Sequence, residues 1–288
     1  MPFGLCRLTL VFAMPIDSND DVGRRSGETV TAGLLRGELP RRNYDNPPVV
    51  EAAARFHWNE PMPWNLTTPG RLFERIKEDY PAEPQFQNSV QAELGLTDGE
   101  GAPNLQVTTG PQRVVFGNED RTRLLIVGAT DLSVHGLRPY EGWESLEERL
   151  FSAFRSLKDF VPNELITQLG LRYINRIEIP DSSIEIGEYM TISFSMPDGW
   201  PARISAFLDR AEFVYPDGDS RISFTWATTE SEPGGSAFIV DLDLVRDLKE
   251  PTSVDEARAA ISELKARETA AFESLIQDRL RGLFRESK

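Results

Sequence analysis

Two arginines four residues apart, Arg172 and Arg176, stand in the stretch Leu169-Gly-Leu-Arg-Tyr-Ile-Asn-Arg-Ile-Glu-Ile-Pro180. On an extended chain they share one face, about 13 Å apart. Paired guanidinium forks suit a carboxylate or another anion. The competing reading is a pair of salt bridges to neighbouring strands or to the preceding helix. Asn175 falls on the opposite, apolar face of the same stretch and must find hydrogen-bond partners if buried. A second constellation is Asp241 and Asp243 in Phe238-Ile-Val-Asp-Leu-Asp-Leu-Val245. Two carboxylates on one strand face could hold Mg²⁺ through carboxylate and water ligands, the basis of a nuclease or hydrolase site. No Lys, His or Glu at a recognisable spacing accompanies them. A solvated strand face, or pairing with Arg172 and Arg176, accounts for them as simply.

Both histidines have acidic neighbours at strand spacing. Glu51, Arg55 and His57 alternate on one face, which makes His57 a base that Glu51 could orient. Asp131 and His135 pose the same geometry on another strand. The reach along a strand is awkward in each case, and a structural or surface role is the simpler account. No G-x-S-x-G, H-E-x-x-H, Walker or G-x-G-x-x-G pattern occurs. Ser and Thr are plentiful, but no nucleophile is set off by its surroundings. Among the five tryptophans, Trp64 and Trp200 lie in Pro-rich or Gly-rich loops and are the candidates for an exposed partner site.

The elements that would position these residues follow from periodicity. Leu169, Leu171, Tyr173, Ile177 and Ile179 alternate with polar residues, which predicts a central strand closed by Pro180. Val49–Trp58 reads as the first strand, led in by Pro47-Pro48, with alanines that let a helix pack closely. Thr68-Pro69 predicts a helix start, with Thr68 as N-cap and Leu72, Phe73, Ile76 and Tyr80 on one face. Residues 85–106 are ambiguous. Gln112–Phe116 and Arg123–Leu137 form a predicted hairpin around Gly117-Asn-Glu-Asp120. Trp143, Leu146, Leu150, Phe154, Leu157 and Val161 form the stripe of a second helix from Gly142 to about Val161. Four strands then follow, Tyr189–Met196, Arg203–Tyr215, Arg221–Thr228 and Ala237–Val245, separated by Pro, Asp and Gly turns. Ser253-Val-Asp-Glu256 is a capping box, opening a helix that would run roughly 48 Å if unbroken to Phe284.

The fold class is therefore α+β, a largely antiparallel sheet with helices on one face and a long C-terminal helix. Residues 1–43 read as an irregular leader without hydrophobic periodicity, with Met14 the preferred start. An N-terminal lobe over 44–180 and a C-terminal lobe over 181–288 form one continuous unit sharing the sheet.

The chain has 288 residues and a net charge of −15. That charge is spread along the chain: 6 − 5 = +1 over 1–42, 13 − 20 = −7 over 43–180, and 12 − 21 = −9 over 181–288. A basic stripe for tracking phosphates is absent from the sequence, so nucleic acid is a poor partner. One cysteine, Cys6, precludes an intramolecular disulfide or a Cys-rich metal site. No apolar run approaches the roughly 18–20 residues that cross a bilayer. The expected location is the cytoplasm, without a membrane.

Several stretches together resemble a known family. They are Asn46-Pro-Pro-Val-Val-Glu-Ala52 with Arg55-Phe56, Leu137-Arg-Pro-Tyr-Glu-Gly-Trp143, Leu169-Gly-Leu-Arg-Tyr-Ile-Asn-Arg-Ile177 and Ala271-Phe-Glu-Ser-Leu-Ile-Gln-Asp-Arg-Leu280. The chain resembles a sporadically distributed family of bacterial and archaeal proteins of unknown function, from about residue 44 to the end. The resemblance implies no activity, cofactor or catalytic residue, and the family's patchy occurrence implies an accessory role in mobile or defence islands. The expected function is a non-catalytic binding or regulatory module acting on a protein partner or small ligand, with homodimerisation through the long helix open. The alternative is a metal-dependent hydrolase or nuclease at Asp241 and Asp243. No cofactor is expected.

Overall fold

A computed structural model describes residues 42–95, 104–192, 197–199 and 204–286, with backbone alone at 88–95, 104–111 and Glu164. The expected leader, apart from Arg42 and Asn43, and Trp200 lie outside the described residues.

One antiparallel sheet of nine strands organises the chain, in the order β2-β3-β4-β5-β1-β6-β9-β8-β7. The strands are β1 (Val49–His57), β2 (Gln85–Gly95), β3 (Asn104–Gly117), β4 (Arg123–Val127), β5 (Asp131–Leu137), β6 (Ile166–Ile179), β7 (Leu208–Val214), β8 (Ser220–Thr229) and β9 (Ser236–Thr252). Four helices accompany them: α1 (Thr68–Ile76), α2 (Trp143–Leu157), α3 (Val254–Leu275) and α4 (Asp278–Phe284). The α+β architecture with helices on one face is as its alternation predicts.

β6 sits at the middle because both its edges are paired, to β1 and to β9. Its Leu169, Leu171, Tyr173, Ile177 and Ile179 are buried. Ala52 and Ala54 of β1 lie beside Tyr173 and Leu171, and their small side chains let α2 approach. Phe56 fills the space next to them, fully buried and edge-on to Phe151 and Phe154 of α2 at 5.4 and 5.7 Å. Burial of such a ring contributes about 1.5–3 kcal/mol, and each edge-to-face contact about 0.5–1.5 kcal/mol more. The α2 stripe is buried throughout, as its spacing requires. α3 lies alongside, joined to α2 where Arg258 stacks on the Phe151 ring at 3.8 Å.

Four expectations are corrected. The ambiguous 85–106 region contributes β2 and extends β3, a hairpin that the sequence does not announce by alternation. The Arg123–Leu137 segment is two strands, because Gly128 reverses the chain and its N–H donates to the Asp131 carbonyl at 2.8 Å. A Cβ at Gly128 would stand 2.4 Å from the Asp131 carboxylate, so the reversal needs glycine. Among the described residues the C-terminal meander has three strands, β7 to β9. Residues 186–188 are a short 3₁₀ turn, Met190 makes one isolated bridge to Ile276, and 193–196 lie outside the described residues. That bridge also breaks the long helix. Ile276 is extended (φ −104°, ψ 146°), with the Thr191 N–H donating to Leu275 O and the Gln277 N–H to Tyr189 O. The helix therefore ends at Leu275 and α4 restarts at Asp278. A smaller shift moves the α1 N-cap to Thr67, while the Thr68 hydroxyl donates to the Pro63 carbonyl.

Among the described residues, no helix is long and apolar enough to cross a membrane.

Candidate functional site

β6 presents Tyr173 and Asn175 to the helical face, and a cavity of about 340 Å³ opens beside them. Its other walls are Arg42–Tyr44 with Pro47 and Pro48, the Tyr140–Glu144 loop, and the last turns of α3. On α3 the lining residues are Lys265, Glu268, Thr269, Phe272 and Glu273, which recur at three and four and so share one helix face. Arg138 ties two of these walls together, donating from Nε to Val49 O at 3.1 Å and from Nη2 to Pro48 O at 3.3 Å.

The cavity floor is a pair of phenols. The Tyr140 and Tyr173 hydroxyls are 2.7 Å apart, with their rings nearly perpendicular. Over the Tyr173 ring, 4.2 Å from its centre, lies the Lys265 ammonium. That ammonium donates to the buried Glu268 carboxylate at 2.5 Å. At the mouth the Tyr44 hydroxyl donates to Glu273 Oε1 at 2.7 Å, and Arg281 reaches Glu273 Oε2 at 3.2 Å. Burial drives all three phenols above the ordinary tyrosine range. Glu273 adds to the effect on Tyr44, and Glu268 to that on Tyr140 and Tyr173. All three therefore remain protonated donors at neutral pH. The arrangement can orient polar groups through hydroxyls, an amide, carboxylates and one ammonium.

The structure separates the predicted arginine site from Asn175. Asn175 is buried at the cavity wall, its amide donating to the Val240 carbonyl at 3.4 Å. Arg172 and Arg176 point to the other face of the sheet. Arg172 grips Asp241 with both forks, Nε to Oδ1 at 2.7 Å and Nη2 to Oδ2 at 2.5 Å. Arg176 donates to Glu178 and to the Glu230 carbonyl. Asp243 stands opposite Arg172 in register. Both Asp241 oxygens thus face a guanidinium, and no group of three or more His, Cys, Asp or Glu among the described residues could hold a metal ion. Trp64 is half-buried against the core.

The two histidine pairings are re-sorted by strand register. Asp131 pairs with Arg113 at 2.9 Å, not with His135. Glu51 goes to His135 rather than His57, at 2.8 Å from Nδ1. The other ring nitrogen of His135, Nε2, lies 2.9 Å from Ser133 Oγ. A serine, histidine and glutamate are thus linked in line on the face away from the helices. Sequence reading passed over Ser133. The one available signal was its i, i+2 spacing to His135, which places both on one strand face. The Glu51 partnership needs the β1–β5 register. Burial depresses the basicity of His57, an effect that Arg55 and Arg113 reinforce and Asp131 opposes.

No protein-family model matches the chain, and no curated protein matches it.

Proposed function

We propose that the cavity between β6 and α3 is a binding or regulatory site, itself non-catalytic, that captures a small amine- or hydroxyl-bearing molecule. The observation that carries this reading is the buried phenol pair Tyr140–Tyr173 at the base of a 340 Å³ cavity whose lining is acidic. Four lining carboxylates (Glu141, Glu144, Glu268, Glu273) stand with two lining cations (Arg42, Lys265), and Arg123 and Arg281 behind the lining hold Glu141 and Glu273, so every lining cation already faces a carboxylate. Such a lining offers a phosphate or carboxylate no unpaired cation, while its carboxylates and hydroxyls can accept from an amine or hydroxyl guest. The aromatic walls of Tyr44, Tyr140, Trp143, Tyr173 and Phe272 cover an apolar body, and a few placed polar groups fix its orientation. The Arg172–Asp241 ion pair weighs against the alternative, a metal-dependent hydrolase at Asp241 and Asp243.

Thermal-shift scanning of the full chain against panels of amines, polyols, nucleosides and carboxylates tests the proposal. A guest specific to the native state raises the melting temperature. The expected result is stabilisation by an amine or polyol that is lost in Tyr173→Phe and Glu268→Gln. Stabilisation by anions alone, or one that both variants retain, overturns it.

A further inference from the structure

We propose that Ser133, His135 and Glu51 form a nucleophile, base and orienting carboxylate for acyl transfer from a small ester, on the sheet face opposite the cavity. The proton arrangement follows from the partners. A carboxylate only accepts, so the hydrogen between Glu51 and His135 belongs to Nδ1, which donates to Oε1 at 2.8 Å. Neutral imidazole carries one ring hydrogen, so Nε2 is left with its lone pair facing Ser133 Oγ at 2.9 Å. The serine hydroxyl therefore donates to Nε2. This is the connectivity a base needs to take the proton from a serine nucleophile, with the third group fixing the tautomer.

Rigid elements hold the three residues. Ser133 and His135 lie two apart on β5, so both project to one face. Glu51 comes from β1, the strand hydrogen-bonded to β5 over seven residue pairs. From the helical side, Arg149 Nη1 donates to the His135 carbonyl at 2.9 Å and anchors its backbone. Ser133 retains 9% exposure and the His135 side chain 16%.

Backbone N–H groups of β1, β5 and β6 are engaged in the sheet ladder, so an oxyanion must find a side-chain donor. Arg55 is the cation that β1 brings to this face. It is opposite Ser133 in the β1–β5 register, but its guanidinium lies over Gly170 of β6, on the side of β1 away from β5, so it serves the oxyanion only by swinging to another rotamer. A Cβ at Gly170 would come within 2.8 Å of the Arg55 Nη2, so glycine there makes the room.

In the first step Ser133 Oγ bonds to the ester carbonyl carbon and its proton passes to His135 Nε2. The C–O bond to the alcohol then breaks, and Nε2 returns the proton to the leaving alkoxide. Water attacks the acyl-serine by the same route, releasing a carboxylic acid and restoring the serine.

The test treats the full chain with a fluorophosphonate probe and with p-nitrophenyl acetate. Expected are one covalent label that maps to Ser133, and ester hydrolysis that Ser133→Ala and His135→Asn each reduce by about 10²–10⁴-fold. Glu51→Gln should lower kcat by at least about tenfold with KM little changed, because it acts through His135. Circular dichroism and melting temperature check that each variant is folded. A folded wild-type protein that takes no label, or hydrolysis that folded Ser133→Ala retains, overturns the proposal. Neither outcome bears on the cavity across the sheet, whose variants are separate.

Discussion

Replacing Lys265 by Met isolates the most exacting contact in the cavity. The Lys265 side chain is 15% exposed and that of Glu268 4%, with their charged groups 2.5 Å apart. Among the described residues, the Thr269 hydroxyl also reaches Glu268, at 3.5 Å. Met conserves the length and apolar stem of lysine but leaves the carboxylate buried without its cation. Removing one partner of a buried pair costs about 3–5 kcal/mol. The Lys265 side chain keeps 15% exposure, so the lower end, about 3 kcal/mol, is the expected loss. For a domain of this size that is a fall in melting temperature of roughly 10 °C. Glu268→Gln leaves the partly exposed cation over the Tyr173 ring and should cost about 1–2 kcal/mol. The double variant carries no buried charge and should lose only about 1–2 kcal/mol rather than the sum. Urea denaturation of the wild type and three variants gives the coupling directly, expected at about 2–3 kcal/mol. A coupling below about 0.5 kcal/mol would falsify the claim that the two charges hold each other in a poorly solvated site.

Other expectations are open to simple assays. The depressed basicity of His57 means that the unfolded chain binds its proton more readily than the folded one. Its stabilising contribution is present above about pH 6.5 and is lost as pH falls through the lower folded value. His57→Gln should therefore flatten the decline of the urea midpoint between about pH 7 and pH 5; an unchanged slope would exclude it. Phe284→Ala removes a ring that is 4% exposed, edge-on to Tyr44 at 5.6 Å. It should cost about 3 kcal/mol by calorimetry and weaken any guest of the cavity, whose wall includes Tyr44. Gly128→Ala should lower stability by at least about 2 kcal/mol, since the new methyl meets the Asp131 carboxylate inside contact distance; a neutral effect would show that the β4–β5 turn can shift. Millimolar Mg²⁺ or Mn²⁺ should leave the melting temperature within about 1 °C, because Arg172 already neutralises Asp241. A clear rise that Asp241→Asn abolishes would revive the metal site.

Local patterns carried the fold where one rule governed a whole segment. The alternation of β6 identified its buried face residue by residue, and the three-and-four spacing of α2 did the same for its stripe. Asn175 was legible as a polar group needing partners, though not as part of a cavity wall. The β2–β3 hairpin was not legible, because its residues do not alternate. Nor was the break at Ile276, which no Pro or Gly marks; a bridge from Met190, distant in sequence, imposes it. The serine–histidine–glutamate line was hidden for the same kind of reason. Glu51 and His135 are 84 positions apart and meet only through strand register. The sequence did place Arg172 and Asp241 on a common face, but only pairing register distinguishes a mutual ion pair from a metal site.

The isolated bridge between Tyr44 and Glu286 has a topological consequence. Asp45 N–H donates to Arg285 O and Asn46 N–H to Phe284 O, both at 3.0 Å, so the first and last described segments run side by side. The body is close to a closed ring. A short linker from Glu286 to Tyr44, with new ends opened at the exposed Pro233-Gly234 turn between β8 and β9, should give a circular permutant that folds. Arg42, Asn43 and Tyr44 line the cavity mouth, so a group tethered to residue 42 is held over that mouth at high effective concentration. That end of the ring is where a covalently attached reporter would sense the cavity's occupancy, and the Pro233–Gly234 turn is where a fusion partner would leave it clear.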